Sequence, residues 1–184
     1  MNKKRLKQIE DLATSILEET NCYEIPVKIN LVAERLGIRI EGFDFGDTVS
    51  GVFFDDGNKK LIGYNKDNPY NRNRFTIAHE LGHFALEHKR EGMFVDNPQK
   101  YVTMLFRDSN SSTGEFTQER EANAFAAALL MPRPLVEKAM SDCYRENPIV
   151  FLQEDFDMVE RLSKDFEVSR QAMSLRLTNL DTSW

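Results

Sequence analysis

Two histidines four residues apart, with a glutamate directly after the first, stand in the run His79-Glu80-Leu81-Gly82-His83. On a helix, positions i and i+4 share one face, so both imidazoles can reach a single ion at about 2.0–2.1 Å. Glu80 cannot share that coordination position, but it can reach a water activated by the ion, where a general base belongs. The ion lowers the pKa of that water toward roughly 7, and Glu80 removes its proton as it attacks a carbonyl. This is the H-E-x-x-H pattern of metal-dependent peptidases. Three fixed positions recur by chance, but the surroundings add weight. Gly82 in mid-helix costs about 1 kcal/mol relative to alanine, which points to a close approach there. All three histidines of the chain, His79, His83 and His88, fall in this helix and its end.

A catalytic zinc keeps three protein ligands and one open position. The metzincin extension needs glycine at position 86 and histidine at 89, and Leu86 and Lys89 exclude it. No histidine follows His88, which lies five residues beyond His83 and off the ligand face. A carboxylate on a second helix is the remaining source, in Thr117-Gln118-Glu119-Arg120-Glu121-Ala122-Asn123. At about 100° per residue, Glu119 lies about 60° from the centre of that helix's apolar stripe, and Glu121 about 100° away on the other flank. Glu119 is favoured as the third metal ligand and Glu121 is the alternative. Otherwise Glu121 reads as a solvated acid in the first helical turn, stabilised by the helix dipole. Asn123, one turn after Glu119 on the same side, can orient a histidine ring through its other nitrogen.

These side chains need elements to hold them. Residues 3–18 carry Leu6, Ile9, Leu12, Ala13, Ile16 and Leu17 at helical spacing. A short helix over residues 30–36 has Asn30 as its cap and Gly37 as its stop. Ile38 and Ile40 alternate with Arg39 and Glu41 as in a strand. Residues 51–54 and 60–64 flank Asp55-Asp56-Gly57-Asn58 and predict a hairpin, whose first strand could offer an edge to an extended peptide. Phe75, Ala78, Leu81 and Ala85 predict an amphipathic helix over residues 71–87. Residues 107–115 lack apolar anchors and read as a mobile loop that could act as a flap. Thr117 then caps a helix with Ala122, Phe125, Ala126, Leu129 and Leu130 on its apolar face, ended by Met131-Pro132. The rest is helical in pattern, and residues 164–177 read as helix, turn, helix with Ser169 as a cap.

Bulk properties narrow the function. A chain of 184 residues suffices for one domain with a helical appendage, split here as a core over residues 1–134 and a C-terminal helical region over 135–184. No apolar run can span a bilayer, and the basic start lacks the apolar core of a secretion signal. Two cysteines far apart, Cys22 and Cys143, fit a reduced cytoplasmic chain. The net charge of −6 argues against broad binding to nucleic acid. Residues 155–184 hold four basic and six acidic side chains, a poor partner for phosphates, so direct DNA contact is disfavoured. An electrophile for the developing oxyanion is chemically required, with His88, Tyr101 and Arg74 as candidates.

The segment from Arg74 to His83, together with Glu119-Arg120-Glu121-Ala122-Asn123 through Met131-Pro132, resembles the ImmA/IrrE-type metallopeptidases. Residues 25–38 and 162–177 fit the start and the C-terminal helices of that family. The resemblance implies an α+β, gluzincin-like core with a small antiparallel or mixed sheet beside the metal helix. It implies Zn²⁺ on two histidines and one glutamate, although Mn²⁺ or another divalent metal suits such donors as well. It also implies a substrate, a helix-turn-helix transcriptional repressor, expected here to be a separate protein because the chain opens almost directly on the peptidase segment. The expectation is therefore a cytoplasmic zinc endopeptidase with an anti-repressor role. The alternative is a metal-bound anti-repressor that inactivates its partner without cutting it.

Overall fold

The computed structural model describes residues 1–46, 49–88, 114–146 and 157–181. Its elements run α1 (Lys3–Glu19), α2 (Ile29–Arg35), β1 (Ile38–Phe43), β2 (Gly51–Asp55), β3 (Lys60–Asn65) and α3 (Tyr70–Ala85). Then follow α4 (Gly114–Leu130), α5 (Arg133–Glu146), α6 (Met158–Asp165) and α7 (Arg170–Asp181). The fold is α+β, with seven helices and one three-stranded sheet among the described residues. Tyr101 and residues 107–113 of the expected flap lie outside those residues, while Gly114 and Glu115 open α4.

The sheet has the order β1-β3-β2 and is mixed. β1 runs parallel to β3 with Ile38 opposite Lys60, and β2 runs antiparallel to β3 with Asp55 opposite Lys60. The expected hairpin is thus present. Its loop is closed by the Asp56 carboxylate, which accepts from the amides of Asn58 and Lys59, and by Gly57 at φ 86°. Buried Asn65 ends β3. Its Nδ2 donates to the carbonyls of Gly46 and Val49, and its Oδ1 accepts from the Asp67 amide, which fixes both approaches to β2 and the exit toward α3.

Several helix starts differ from expectation. α2 begins at Ile29 with Lys28 before it, so Asn30 lies inside the helix and does not cap it. α4 begins at Gly114, and Thr117 is an exposed residue of its first turn. Asn2 caps α1 by accepting from the Arg5 amide. Ser169 does cap α7, accepting from the Ala172 amide.

Three helix ends share one device. At the end of α3 the His88 amide donates to the His83 carbonyl and the Glu87 amide to that of Phe84, a Schellman motif. The pivot, Glu87, has φ 51°. The same bonds close α1 around Asn21 at φ 48° and α6 around Glu167 at φ 53°. For glutamate this left-handed conformation costs roughly 1–2 kcal/mol, so surrounding contacts must hold it.

α3 is buried differently from an ordinary amphipathic helix. Every residue from Thr76 to His83 is buried, because α3 packs against α4, β3, β2 and α2 together. The expected single apolar stripe therefore understates its enclosure. At its start α3 grips the α6–α7 turn. Tyr70 Oη donates to Glu167 Oε2 at 2.9 Å, Asn71 Nδ2 to the Val168 carbonyl at 3.1 Å, and Arg74 Nε to the Glu167 carbonyl at 3.1 Å. Leu162, Phe166 and Met173 of α6 and α7 and their junction join Ile9, Leu17, Leu81, Phe125 and Leu129 in one apolar cluster. Arg176 of α7 reaches the Met131 carbonyl at 3.0 Å and Glu10 of α1 at 2.6 Å. No helix among the described residues is long and apolar enough to cross a membrane.

Arg74 is only 5% exposed and supplies donors to carbonyls of Phe166 and Glu167. Truncation of such a donor leaves buried acceptors unsatisfied, at about 1–3 kcal/mol. The substitution Arg74→Met should lower Tm by roughly 4–10 °C in a thermal melt followed by circular dichroism. An unchanged Tm would mean that other donors replace the guanidinium.

Candidate metal centre

The two histidines of α3 point the same way. Their Nε2 atoms are 3.0 Å apart, and the rings meet edge to face at 80°. Glu119 of α4 closes the third side, with Oε2 at 3.3 Å from His79 Nε2 and Oε1 at 3.5 Å from His83 Nε2. The ligand-type atoms of His79, His83 and Glu119 all lie within 4.8 Å of one another. Two nitrogens at about 2.1 Å from a tetrahedral ion sit about 3.4 Å apart, so the pair stands a few tenths of an ångström closer than that spacing. Two imidazoles and one carboxylate, nearly buried, suit a divalent cation such as zinc in donor type and in charge.

What brings α4 to this distance is Gly82. A Cβ at that position would stand 3.1 Å from Ala122 Cα, from the Ala122 carbonyl oxygen and from Phe125 Cδ1. The helices therefore touch backbone to side chain, and Phe125, Ala126 and Leu129 seal the contact at 0% exposure. Gly51 performs the same service for β2: a Cβ there would collide with Thr76 Cγ2 and lie 3.7 Å from Glu80 Oε1. Glu80 is consequently held at 1% exposure beside the start of β2.

Each histidine ring is anchored on its far side. Asn123 Oδ1 lies 2.9 Å from His79 Nδ1, so a proton on Nδ1 leaves the Nε2 lone pair facing the cluster. Asn123 thus makes the contact expected of it. On the other ring, His83 Nδ1 lies 2.9 Å from His88 Nδ1, and His88 Nε2 lies 3.2 Å from Glu121 Oε2. The Schellman turn at Glu87 folds His88 back over His83, on the side away from the cluster.

The reading of Glu121 as a solvated first-turn acid is overturned. Because α4 starts at Gly114, Glu121 lies beyond the first turn, and α1 covers it. It is 9% exposed and receives Arg5 Nε at 2.7 Å and Arg5 Nη2 at 2.5 Å. The Arg5 guanidinium holds its carboxyl below the usual carboxylate range, against burial, with His88 adding to the lowering. Nor does Glu121 approach the His79–His83 pair; the carboxylate beside that pair is Glu119. Arg5 and the role of His88 escaped the sequence. A five-residue step past His83 was the available signal, since that is the span of a Schellman turn. Of the oxyanion candidates, Arg74 is committed to the α6–α7 turn and His88 stands behind His83.

Replacing Gly82 by valine places branched carbon against α4 backbone, and overpacking of this kind costs about 1–3 kcal/mol. Gly82→Val should lower Tm and reduce the zinc retained per chain after gel filtration, measured by atomic absorption. Zinc retention equal to that of the parent would dissociate the interhelical contact from the cluster.

No curated protein matches the chain. The family model described as Peptidase_M78, IrrE N-terminal-like domain, matches residues 33–178, a span that includes His79, Glu80, His83, Glu119 and Asn123. With that span covering most of the 184 residues and enclosing the whole α3–α4 cluster, the chain belongs to the IrrE N-terminal-like peptidase family.

Proposed function

We propose that the chain is a zinc-dependent endopeptidase with a gluzincin-like core. The observation that carries this reading is the convergence of His79, His83 and Glu119, from two helices, beside a buried glutamate. His79, His83 and Glu119 would hold the ion, with Mn²⁺ an acceptable substitute for Zn²⁺ in such a donor set. When bound, the ion supplies Lewis acidity, acidifying water and polarising a carbonyl. Glu80 then acts as general base, accepting a proton from the attacking water and passing it to the leaving amine. Its enclosure excludes bulk water, which strengthens every charge interaction in that step. Asn123 keeps the His79 ring in one tautomer and one orientation.

The substrate we infer is an extended segment laid along β2. Among the described residues β2 pairs only with β3, so its other edge is available for strand addition. That edge begins at Gly51, beside Glu80, which would carry a bound backbone past the base. The source of that segment is proposed to be a separate helix-turn-helix repressor, met in the cytoplasm. An acidic chain suits the basic surface of a DNA-binding protein. Each basic side chain of the α6–α7 pair has an acidic partner: Arg161 with Asp165, Lys164 with Glu160, Arg170 with Asp157 and Arg176 with Glu10. Cations already paired offer little to phosphates, which favours protein over DNA as the partner.

Glu80→Gln should retain about one zinc per chain and lose hydrolysis by two or more orders of magnitude, because an amide cannot accept the proton. Metal analysis and a cleavage assay on one sample decide it, and undiminished cleavage removes Glu80 from the mechanism. At equal concentration and moderate salt, a cognate helix-turn-helix repressor should be cut much faster than unstructured casein, read by gel electrophoresis. Equal rates would overturn recognition of a folded partner. Tight binding of the repressor by the parent protein without any cutting would instead make the chain a sequestering anti-repressor.

A further inference from the structure

Resting on that assignment of His83 as a metal ligand, we propose that His88, Glu121 and Arg5 are positioning residues that fix the His83 ring from behind. The bonding pattern admits one consistent proton arrangement. If His83 Nε2 keeps its lone pair for the ion, Nδ1 carries the proton and donates to His88 Nδ1, 2.9 Å away. His88 is then the tautomer with its proton on Nε2, which donates to Glu121 Oε2 at 3.2 Å. Glu121 in turn accepts two bonds from the planar guanidinium of Arg5, on Oε1 and Oε2. Every donor in the line meets an acceptor. With both rings neutral, flipping the tautomer of either histidine alone would set two donors or two acceptors face to face.

Burial makes the line stringent. The side chains of His83, His88 and Glu121 are 3%, 5% and 12% exposed, so water cannot readily replace a lost partner. Three separate elements supply the members: the Schellman turn after α3, helix α4 and helix α1. The two histidine ligands therefore have unlike supports. His79 is held by a neutral amide, Asn123, and His83 by an imidazole whose own orientation depends on a carboxylate and an arginine. Arg5 lies outside the span that matches the family model, residues 33–178. The first turns of α1 are thus part of the metal centre's support in this chain.

The test measures affinity for Zn²⁺ alone, by competition with a chromogenic chelator, on the full chain and its variants. His88→Phe removes the acceptor while keeping a ring, and should weaken Zn²⁺ binding about 10–100-fold. His88→Gln offers a side-chain carbonyl and should recover most of that loss. Arg5→Met and Glu121→Gln should each weaken binding by a smaller factor, on the order of 3–10-fold, and they keep the test decisive if His88→Phe fails to fold. The visible spectrum of the Co²⁺ form should change in His88→Phe, because the ring of His83 turns. Melting of the metal-free variants separates positioning from stability. Affinity lost only in step with the metal-free Tm would overturn the proposal, as would parental affinity in all three positions. A parent protein that binds no Zn²⁺ would instead overturn the metal assignment on which the proposal rests.

Discussion

Helices α3 and α4 can bring a carboxylate to two imidazoles only if their axes come close, and the missing side chain of Gly82 eases that approach. At Gly82 the backbone of α4 occupies the space of a side chain, with Ala122 and Phe125 pressed against the bare Cα. Glycine in mid-helix is unfavourable by about 1 kcal/mol, yet here that loss is offset by the burial of Phe125, Ala126 and Leu129. Glu119 sits three residues before Ala122, so the contact also sets where its carboxylate falls. The approach of β2 through Gly51 is the same device turned on another face of α3. Between them the two glycines bring a carboxylate from one side and a strand edge from the other toward Glu80.

Much of this was legible from residue types and spacing. The i, i+4 histidines converge because a regular helix carries them, and the angular position of Glu119 and Asn123 on α4 turned both toward them. Strand alternation in Ile38 and Ile40 and the Gly57 loop located the sheet correctly. What stayed hidden has physical causes. Glycine is the usual mark of a left-handed helix end, as at Gly37, but Asn21, Glu87 and Glu167 also occupy that conformation, so nothing marks the return of His88 over His83. Hydroxyl residues make good caps, so Thr117 predicts the start of α4, but the helix begins at Gly114 and Glu121 lies beyond its first turn. The partnership of Arg5 with Glu121 spans 116 residues, and no local pattern encodes a pairing across that distance.

Polar groups near the cluster are arranged in graded layers. Neutral groups touch one histidine, while a charged pair stands one residue behind the other. Such a layout pairs the formal charges of Glu121 and Arg5 with one another, so that carboxylate is compensated behind the cluster. Charge balance of this sort lets a nearly buried site accept a divalent cation without leaving a second uncompensated carboxylate nearby.

The enclosure of α3 also has a bearing on cooperativity. A helix covered by a sheet, two other helices and the α6–α7 turn cannot open alone, since its release would expose most of the apolar cluster at once. It belongs with the segments that part only when the whole domain does. Small zinc-folded domains differ, because in them the ion and the fold form in one event. Here the helix that carries the histidine pair is itself enclosed by the apolar cluster and the sheet. On the proposed metal assignment, loss of the ion would leave that packing, and with it the chain's architecture, in place.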